Sequence, residues 1–419
     1  MAMNNLKVGY AGLTHLGLNS LAASVSKGYA VVGYDESAQL IKKLSTLDLD
    51  ISEPGLAEIL SDNRKNICFS DSLESLSSCD IVYISSDVET DEDGNSDLTS
   101  IESLVQKVAE AIQKQTVLVI LCQVHPGFTR GVLKVHQNTF YQVETLIFGQ
   151  AIHRAQNPER FIVGCRNPAE LDENLKTFLS SFGCPILPMT FESAELSKTA
   201  INLFLAANVS TANTLAELCE KIGADWSEII PSLRLDRRIG KFAYIETGLG
   251  LSGGNIERDL RTISSLAHAT NSNPSVVESF IHHSKYRKTW LLSQFNLLSA
   301  GIIDPKLGVL GLAYKKDTHS TKNSPTLDFL SSINCSEVNV YDPVVNSLGS
   351  AFKVKYCPDA YAAAEQVDIL FIITPWEEFY DLDLERLISS MKGRIVVDPY
   401  GVIPSIKPFV DKYVRLGTF

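Results

Sequence analysis

Apolar residues are distributed along this chain in two kinds of run. Short continuous runs occur at Lys7–Ala11, Ala30–Tyr34, Asn66–Phe69, Asp80–Ser85 and Thr116–Cys122. Runs of that length without alternation predict parallel strands buried on both faces. Helical periodicity separates them at Leu18–Lys27 and Leu98–Gln113, and the acidic stretch Glu89–Asp97 predicts a solvated connection. Strand-like segments follow near Glu144 and at Phe161–Gly164. A second strand set lies at Val309–Tyr314, Glu337–Tyr341, Ile369–Thr374 and Ile395–Val397. Between the two sets the pattern is helical, through Glu192–Gly223, Trp226–Ser232 and an interrupted stretch over Thr262–Ala300 that suits an intersubunit surface.

The longest helical segment organises the rest. Glu192–Gly223 is rich in Ala and Leu and carries no Pro or Gly before its terminal Gly223, which predicts one long helix. Leu196, Ala200, Leu203, Ala207 and Val209 can supply its buried stripe. Lys198 and Asn202 are four residues apart and share a face. An amine and a carboxamide on an apolar helix either form a solvated face or are buried because they serve a site.

The first strand ends in Gly12-Leu13-Thr14-His15-Leu16-Gly17, a helix follows, and the second strand ends at Asp35. Strand, glycine turn, helix, strand and acid together form the layout of a dinucleotide-binding unit. The phosphates lie at the helix N-terminus and the acid accepts from ribose hydroxyls. Gly12, Thr14, Gly17 and Asp35 are the candidate cofactor-binding residues. Thr14 stands where a glycine is usual; its Cβ hinders the approach of a pyrophosphate, and its hydroxyl could donate to one instead. Glu36 rather than an arginine follows Asp35, which favours NAD over NADP. The predicted fold class is therefore α/β, with two Rossmann-like domains joined by a long central helix and a helical dimerisation region. The expected segments are 1–192 for a dinucleotide-binding domain, 193–300 for the central helix and helical region, and 301–419 for a second α/β domain.

Another unusual stretch is Thr247–Asp259, with glycines at 248, 250, 253 and 254. Such a backbone can wrap a ligand, and Asn255 is suited to cap the helix that follows. Asn255 and Asp259 would then lie one turn apart. An ordinary loop with an N-cap reads the same way.

At 419 residues the chain exceeds one core, and 45% hydrophobic with 21% charged residues is a globular composition. A net charge of −12 argues against a general nucleic-acid binder. The eight cysteines include no Cys-x-x-Cys pair and no Cys/His cluster, so reduced thiols, no metal site and a cytoplasmic location are expected. The His282-His283 pair is read as surface. No signal-peptide pattern or membrane-length apolar run is present in the sequence.

Several ordered segments resemble the UDP-glucose/GDP-mannose dehydrogenase family nearly end to end. They include Glu53-Pro54-Gly55-Leu56, Asp97-Leu98, His125-Pro126-Gly127-Phe128-Thr129-Arg130, Gly149-Gln150-Ala151-Ile152 and Asn157-Pro158-Glu159-Arg160. Ala194-Glu195-Leu196-Ser197-Lys198 with Asn202, Arg238-Ile239-Gly240, Gly311-Leu312-Ala313-Tyr314-Lys315, Ser324-Pro325, Tyr341-Asp342-Pro343 and Thr374-Pro375-Trp376 continue the series. The resemblance implies oxidation of a nucleotide-sugar C6 alcohol with NAD, in two stages, by a homodimer or larger assembly. It implies that Lys198, Asn202 and Asp259 serve the first stage and that Glu144 is an active-site glutamate. Arg238, Gly250 and Lys315 would contact substrate, Arg238 across a subunit boundary, although its spacing to the glycine loop differs by about one residue from the family pattern.

The departures point at the second stage. The family's nucleophilic cysteine falls on Asn255, its water-orienting threonine on Gln123, a second glutamate on Phe148, the lysine before Asp259 on Arg258, and an arginine on Tyr400. A carboxamide is not a nucleophile that a nearby base readily activates. The expectation is a UDP-sugar oxidoreductase restricted to two-electron chemistry, whether oxidation, reduction or redox-neutral epimerisation. Two rivals stay open. One is a full four-electron 6-dehydrogenase in which water attacks the aldehyde directly, and the other is a catalytically silent NAD or nucleotide-sugar sensor.

Overall fold

The computed structural model describes residues 6–51, 53–90, 96–252, 255–349 and 352–419, the side chains of 89, 90 and 255 excepted. The chain forms two compact units, Met1–Ile201 and Asn202–Phe419. The division falls inside one unbroken helix.

In the first unit the strands are β1 (Lys7–Ala11), β2 (Ala30–Tyr34), β3 (Ile67–Ser70), β4 (Ile81–Ile84), β5 (Glu89–Thr90), β6 (Ser96–Asp97), β7 (Val117–Ile120), β8 (Thr139–Gln142), β9 (Phe161–Cys165) and β10 (Ile186–Thr190). Eight of them make one sheet in the order β10-β9-β8-β7-β4-β1-β2-β3, parallel throughout except for the antiparallel β8–β9 pair. The six strands from β3 to β8 have the order of a doubly wound nucleotide-binding sheet, whose switch point lies between β1 and β4. β1, β4 and β7 are almost wholly buried, which explains their unbroken apolar runs. The sequence pattern did not mark β10. It is a partly exposed edge strand containing Pro188, a residue whose missing N–H confines it to sheet edges. β5 and β6 pair as a small antiparallel ribbon where a simple solvated connection was expected.

Helix α1 (His15–Ser26) starts three residues before the predicted Leu18. Gly12, at φ +93°, turns the chain, and Thr14 holds an extended conformation as the cap residue. α2 (Thr99–Ala111), α3 (Phe128–Val132) and α4 (Ala151–Gln156) connect later strands.

The spine helix α5 spans Phe191–Ile222, one residue from each predicted end. Its buried face differs from the predicted stripe. Glu195, Thr199, Asn202, Ala206, Val209, Asn213 and Ala216 are buried, whereas Leu196 is 43% exposed. Steps of four and three residues put the buried set on one side of the helix. Small and hydrogen-bonded polar side chains occupy the packed side, and larger apolar ones such as Phe204, Leu218 and Ile222 are left exposed. Counting apolar residues alone finds the buried Val209 and the half-buried Ala200, Leu203 and Ala207 but misses most of the packed side, because partners in the folded chain stabilise buried polar groups.

The second unit continues with α6 (Trp226–Leu235), α7 (Asn255–Ala269), α8 (Ser275–Lys288) and α9 (Trp290–Leu298). Its sheet contains β11 (Leu307–Leu310), β12 (Val338–Tyr341), β13 (Lys355–Tyr356), β14 (Ile369–Ile372), β15 (Ile395–Val397) and β16 (Lys412–Val414). The order β13-β12-β11-β14-β15-β16, all parallel, repeats the doubly wound pattern. β13 and β16 are short, lysine-bearing edges, a composition that conceals strands from a hydrophobic scan. A buried ionic cluster ties this unit together. Arg287 meets Glu220 at 3.2 Å, and Glu220 also accepts from the indole of Trp290 (3.1 Å) and the backbone of Gly417 (2.9 Å). His283, expected on the surface, is half-buried and lies 3.2 Å from the Thr214 hydroxyl.

The dinucleotide turn is sterically closed to side chains. A Cβ on Gly17 would stand 2.0 Å from the Gly12 carbonyl oxygen, while one on Gly131, in α3, would meet nothing within 4 Å. In urea titrations Gly17→Ala is expected to destabilise the protein by about 3 kcal/mol, and Gly131→Ala to stabilise it by about 0.5–1 kcal/mol.

Candidate active site

In the first unit the turn between β1 and α1 has the features of a diphosphate cradle. The amides of His15, Leu16 and Gly17 precede the first intrahelical bond, Leu18 N–H to Thr14 C=O at 3.0 Å, and so have no acceptor within the helix. A Cβ on Gly12 would come within 2.9 Å of the Ser86 backbone at the end of β4. Both glycines are thus fixed by close approach. The Asp35 carboxylate accepts from Leu13 N–H (3.0 Å) with one oxygen and from Ser37 N–H (3.0 Å) with the other. A carboxylate has about four acceptor positions, so Asp35 retains capacity for ribose hydroxyls. These residues fit an NAD molecule. Thr14 differs from the expectation of a phosphate donor: its hydroxyl accepts from Asp87 N–H (2.9 Å) and donates to the Ser85 carbonyl (3.4 Å). It braces the turn against the segment after β4.

The second sheet repeats the glycine turn and the acid, with a different result. Gly311 at φ +96° packs against Thr374 as Gly12 packs against Ser86. Asp342, after β12, accepts from Leu312 N–H, Ala313 N–H and the Trp376 indole with one oxygen, and from Val344 and Val345 N–H with the other, all between 2.7 and 3.0 Å. Five donors saturate it, so Asp342 is a fixed hub and has no acceptor left for a ribose.

Of the candidate catalytic residues in the first unit, Lys198 and Glu144 meet. Lys198 Nζ is 3.3 Å from Glu144 Oε2, with both side chains mostly buried. Glu144 follows β8, and its other oxygen accepts from the Leu146 N–H. The segment before α3 is held by Glu195 of the spine helix, which accepts from Gly127 N–H (2.6 Å) and Thr129 N–H (2.8 Å). Burial raises the Glu195 carboxyl above its usual range against those hydrogen bonds. Neighbouring Glu192 shows the opposite case, pushed down to about 2 by its hydrogen bonds to the Arg130 guanidinium.

In the second unit Asn202, one helical turn after Lys198, donates from Nδ2 to Asp259 Oδ2, and both residues are buried. Arg258 Nε is 3.7 Å from the other Asp259 oxygen. Gly250, at φ +86°, passes so close to α8 that a Cβ would stand 2.6 Å from the Ser284 carbonyl. Gly248 N–H is held by Asn213 (2.8 Å) and Leu251 N–H by the Ser284 hydroxyl (2.8 Å), so the described part of the glycine loop is anchored at three points. Lys315 follows β11 with its amine 5.8 Å from the centre of the Tyr314 ring. Arg238 is on the surface and holds its own Asp236, at 2.7 and 3.0 Å. The side chain of Asn255 lies outside the described residues, although its backbone opens α7.

Sequence profiles of one family match most of the chain: an NAD-binding domain at residues 6–181, a central domain at 192–285 and a UDP-binding domain at 308–405. The chain belongs to the UDP-glucose/GDP-mannose dehydrogenase family. Family membership makes it an NAD-dependent oxidoreductase. It is 27% identical over 411 residues to UDP-glucose 6-dehydrogenase TuaD of Bacillus subtilis, covering 94% of this chain and 88% of that one. It is also 27% identical to UDP-glucose 6-dehydrogenase of Rickettsia typhi, over 99% of this chain and 100% of that one. Among solved structures, a UDP-glucose dehydrogenase from Pyrobaculum islandicum matches with a TM-score of 0.87 and 25% identity, over 100% of this chain and 99% of that chain.

Within this family the cysteines are informative. Cys122, next to Gln123, is buried, its thiol donates to the Ile84 carbonyl (3.3 Å), and burial pushes its pKa up. Cys79, 165, 184, 219, 335 and 357 are likewise raised by burial, Cys79 to about 12. None of these seven is poised as a thiolate. Tyr400 is a neutral phenol, held up at about 12 by burial although it accepts a backbone hydrogen bond from Leu249.

Three residues that hold the segments around the candidate site were not singled out from sequence: Glu195, Glu53 and His15. Glu53 and Glu195 sit inside segments quoted for the family resemblance, and His15 inside the dinucleotide turn. A carboxylate just before a Pro-Gly turn, or within the buried face of the spine, was the available signal.

Glu195 also yields a pH test. A carboxyl whose folded pKa exceeds its unfolded value weakens the fold as pH rises from the unfolded pKa through the folded one. Relative to Glu195→Gln, the wild-type protein should therefore gain unfolding free energy as the pH falls from about 7 to 4, measured by denaturant titration at each pH.

Proposed function

We propose that the protein oxidises or reduces one carbon of a UDP-sugar with NAD and stops after the two-electron step. The observation that carries this reading is the Asn202–Asp259 hydrogen bond, taken with the family resemblance, which puts the nucleophilic cysteine's position at Asn255. Bound NAD supplies the hydride acceptor. The Gly12–Gly17 turn and Asp35 hold its diphosphate and ribose. Removing a hydride from a carbinol carbon also requires loss of the hydroxyl proton. The Lys198–Glu144 pair handles that proton, directly or through a water. Asn202 gives one Nδ2 proton to Asp259 and keeps the other to donate to the oxygen that becomes a carbonyl. The balanced change is alcohol plus NAD⁺ to carbonyl, NADH and a proton.

The second oxidation would need a thiohemiacetal or a directly activated water. Asn255 is no thiolate, and Gln123 stands where the family orients its water. Neither residue supports the second stage. Lys315 and the loop around Gly250 are the groups we assign to the UDP portion, and Arg238, which is exposed and pairs with the nearby Asp236, we assign to a neighbouring subunit's substrate. We assign NAD binding to residues 1–192, substrate contacts and dimerisation to the spine and helical region at 193–300, and UDP binding to 301–419, as the family resemblance implies.

A homodimer or larger assembly fits the apolar surface of the second unit. Phe204, Leu218 and Ile222 on the spine helix are 74%, 50% and 65% exposed, and Phe242 is 92% exposed. A second copy of the chain is the partner proposed for it. Eight free thiols fit a reducing cytoplasm, and no helix among the described residues is long and apolar enough to cross a membrane.

Incubation with NAD⁺ and a panel of UDP-sugars should give at most one NADH per sugar and a carbonyl product by mass spectrometry. Two NADH per sugar with a uronate would refute the two-electron limit, and ligand binding without any product would make the protein a sensor. In sedimentation experiments, Phe204→Asp combined with Phe242→Asp should reduce the assembly to monomers while leaving the far-ultraviolet circular dichroism unchanged.

A further inference from the structure

Glu53 is a buried carboxylate held by groups from two separate segments of the first unit. One oxygen accepts from His15 Nε2 (2.9 Å) and Gly149 N–H (3.1 Å), and the other from Ala151 N–H (2.7 Å). His15 is the first residue of α1, at the diphosphate cradle. Gly149 and Ala151 flank the start of α4, on the segment that begins with Glu144. The His15 ring also stacks on Phe148 of that segment, with centroids 4.1 Å apart. A simple cap for α4 would use the two backbone amides and would not need a histidine from the cofactor turn.

We propose that Glu53 is a positioning residue that couples the seating of the dinucleotide to the alignment of the Lys198–Glu144 pair. The connection runs through a short rigid path. The diphosphate binds at the α1 N-terminus, which begins with His15; His15 is fixed to Glu53 and Phe148; Glu53 and Phe148 fix the 144–151 segment; and Glu144 fixes the lysine amine at 3.3 Å. A hydrogen bond between a side chain and a buried carboxylate is strong enough to bias the segment between two positions by about tenfold or more. Phe148 takes part because its ring packs on the imidazole, which ties His15 to the 144–151 segment by a second contact. The proposal rests on the oxidoreductase reading for what the alignment serves, but the coupling itself is a property of NAD binding.

His15→Phe keeps an aromatic ring against Phe148 and removes only the donor. Glu53→Gln keeps one acceptor and removes the charge. The experiment combines calorimetric NAD⁺ affinity, thermal melting, and hydrogen exchange of the amides from 146 to 151 with and without NAD⁺. In the wild-type protein NAD⁺ should slow exchange in that segment. In His15→Phe the slowing should disappear, and the NAD⁺ Kd should rise about tenfold with little change in melting temperature. Glu53→Gln should lose the same coupling and, where turnover is measurable, lower kcat more than it raises the KM for the sugar. The proposal is overturned if NAD⁺ does not protect the segment in the wild type, if protection persists in His15→Phe, or if the variants melt lower with unchanged Kd. If Glu53→Gln does not fold, His15→Phe decides alone. Absence of turnover on every nucleotide sugar would instead overturn the oxidoreductase reading, and the exchange result would still decide the coupling.

Discussion

Polar groups buried with matched partners are the constraint on which the described site depends. The packed face of the spine helix carries Glu195, Asn202 and Asn213 where a helix of this length would ordinarily carry leucines. Removing such groups from water costs several kcal/mol each unless hydrogen bonds replace the lost hydration. Here the replacements are specific: amides of Gly127 and Thr129 for Glu195, Asp259 for Asn202, and the Gly248 amide for Asn213. Each partner is a loop or helix start. The cost of burial is therefore offset only when those loops occupy one position, and fixed loops are what a catalytic arrangement requires.

The two doubly wound sheets show how one sequence pattern supports two roles. Both have a left-handed glycine after the first strand and an acid after the second. Asp35 receives two backbone donors and keeps acceptor capacity, whereas Asp342 receives five and has none. The difference lies in neighbours distant in sequence, notably the Trp376 indole. It suits a first sheet that binds a dinucleotide's ribose and a second that must use other groups.

Burial also acts on seven of the eight cysteines, whose thiols it holds in the protonated form. Thiolates need nearby positive charge or solvent, and the described thiols mostly lie in apolar surroundings that favour the protonated form. The Lys198–Glu144 and Asn202–Asp259 contacts, by contrast, use ionic or carboxamide groups with separate partners.

The amino-acid sequence by itself determined the element order, the dinucleotide turn, the spine helix and the family, because continuous apolar runs and close-packed glycines are local signals. Strand edges escaped it: β10, β13 and β16 are half-exposed and carry proline or lysine, so they lack the buried-strand signature. Tertiary structure alone decided which face of the spine is buried, since polar burial depends on partners far along the chain. It also decided that Thr14 braces the turn internally, that Lys198 meets Glu144 while Asn202 meets Asp259, and that Glu53 gathers donors from residues 15, 149 and 151. Those pairings span separations of about 40 to 100 residues in most cases, and no periodicity in a sequence encodes a contact at that range.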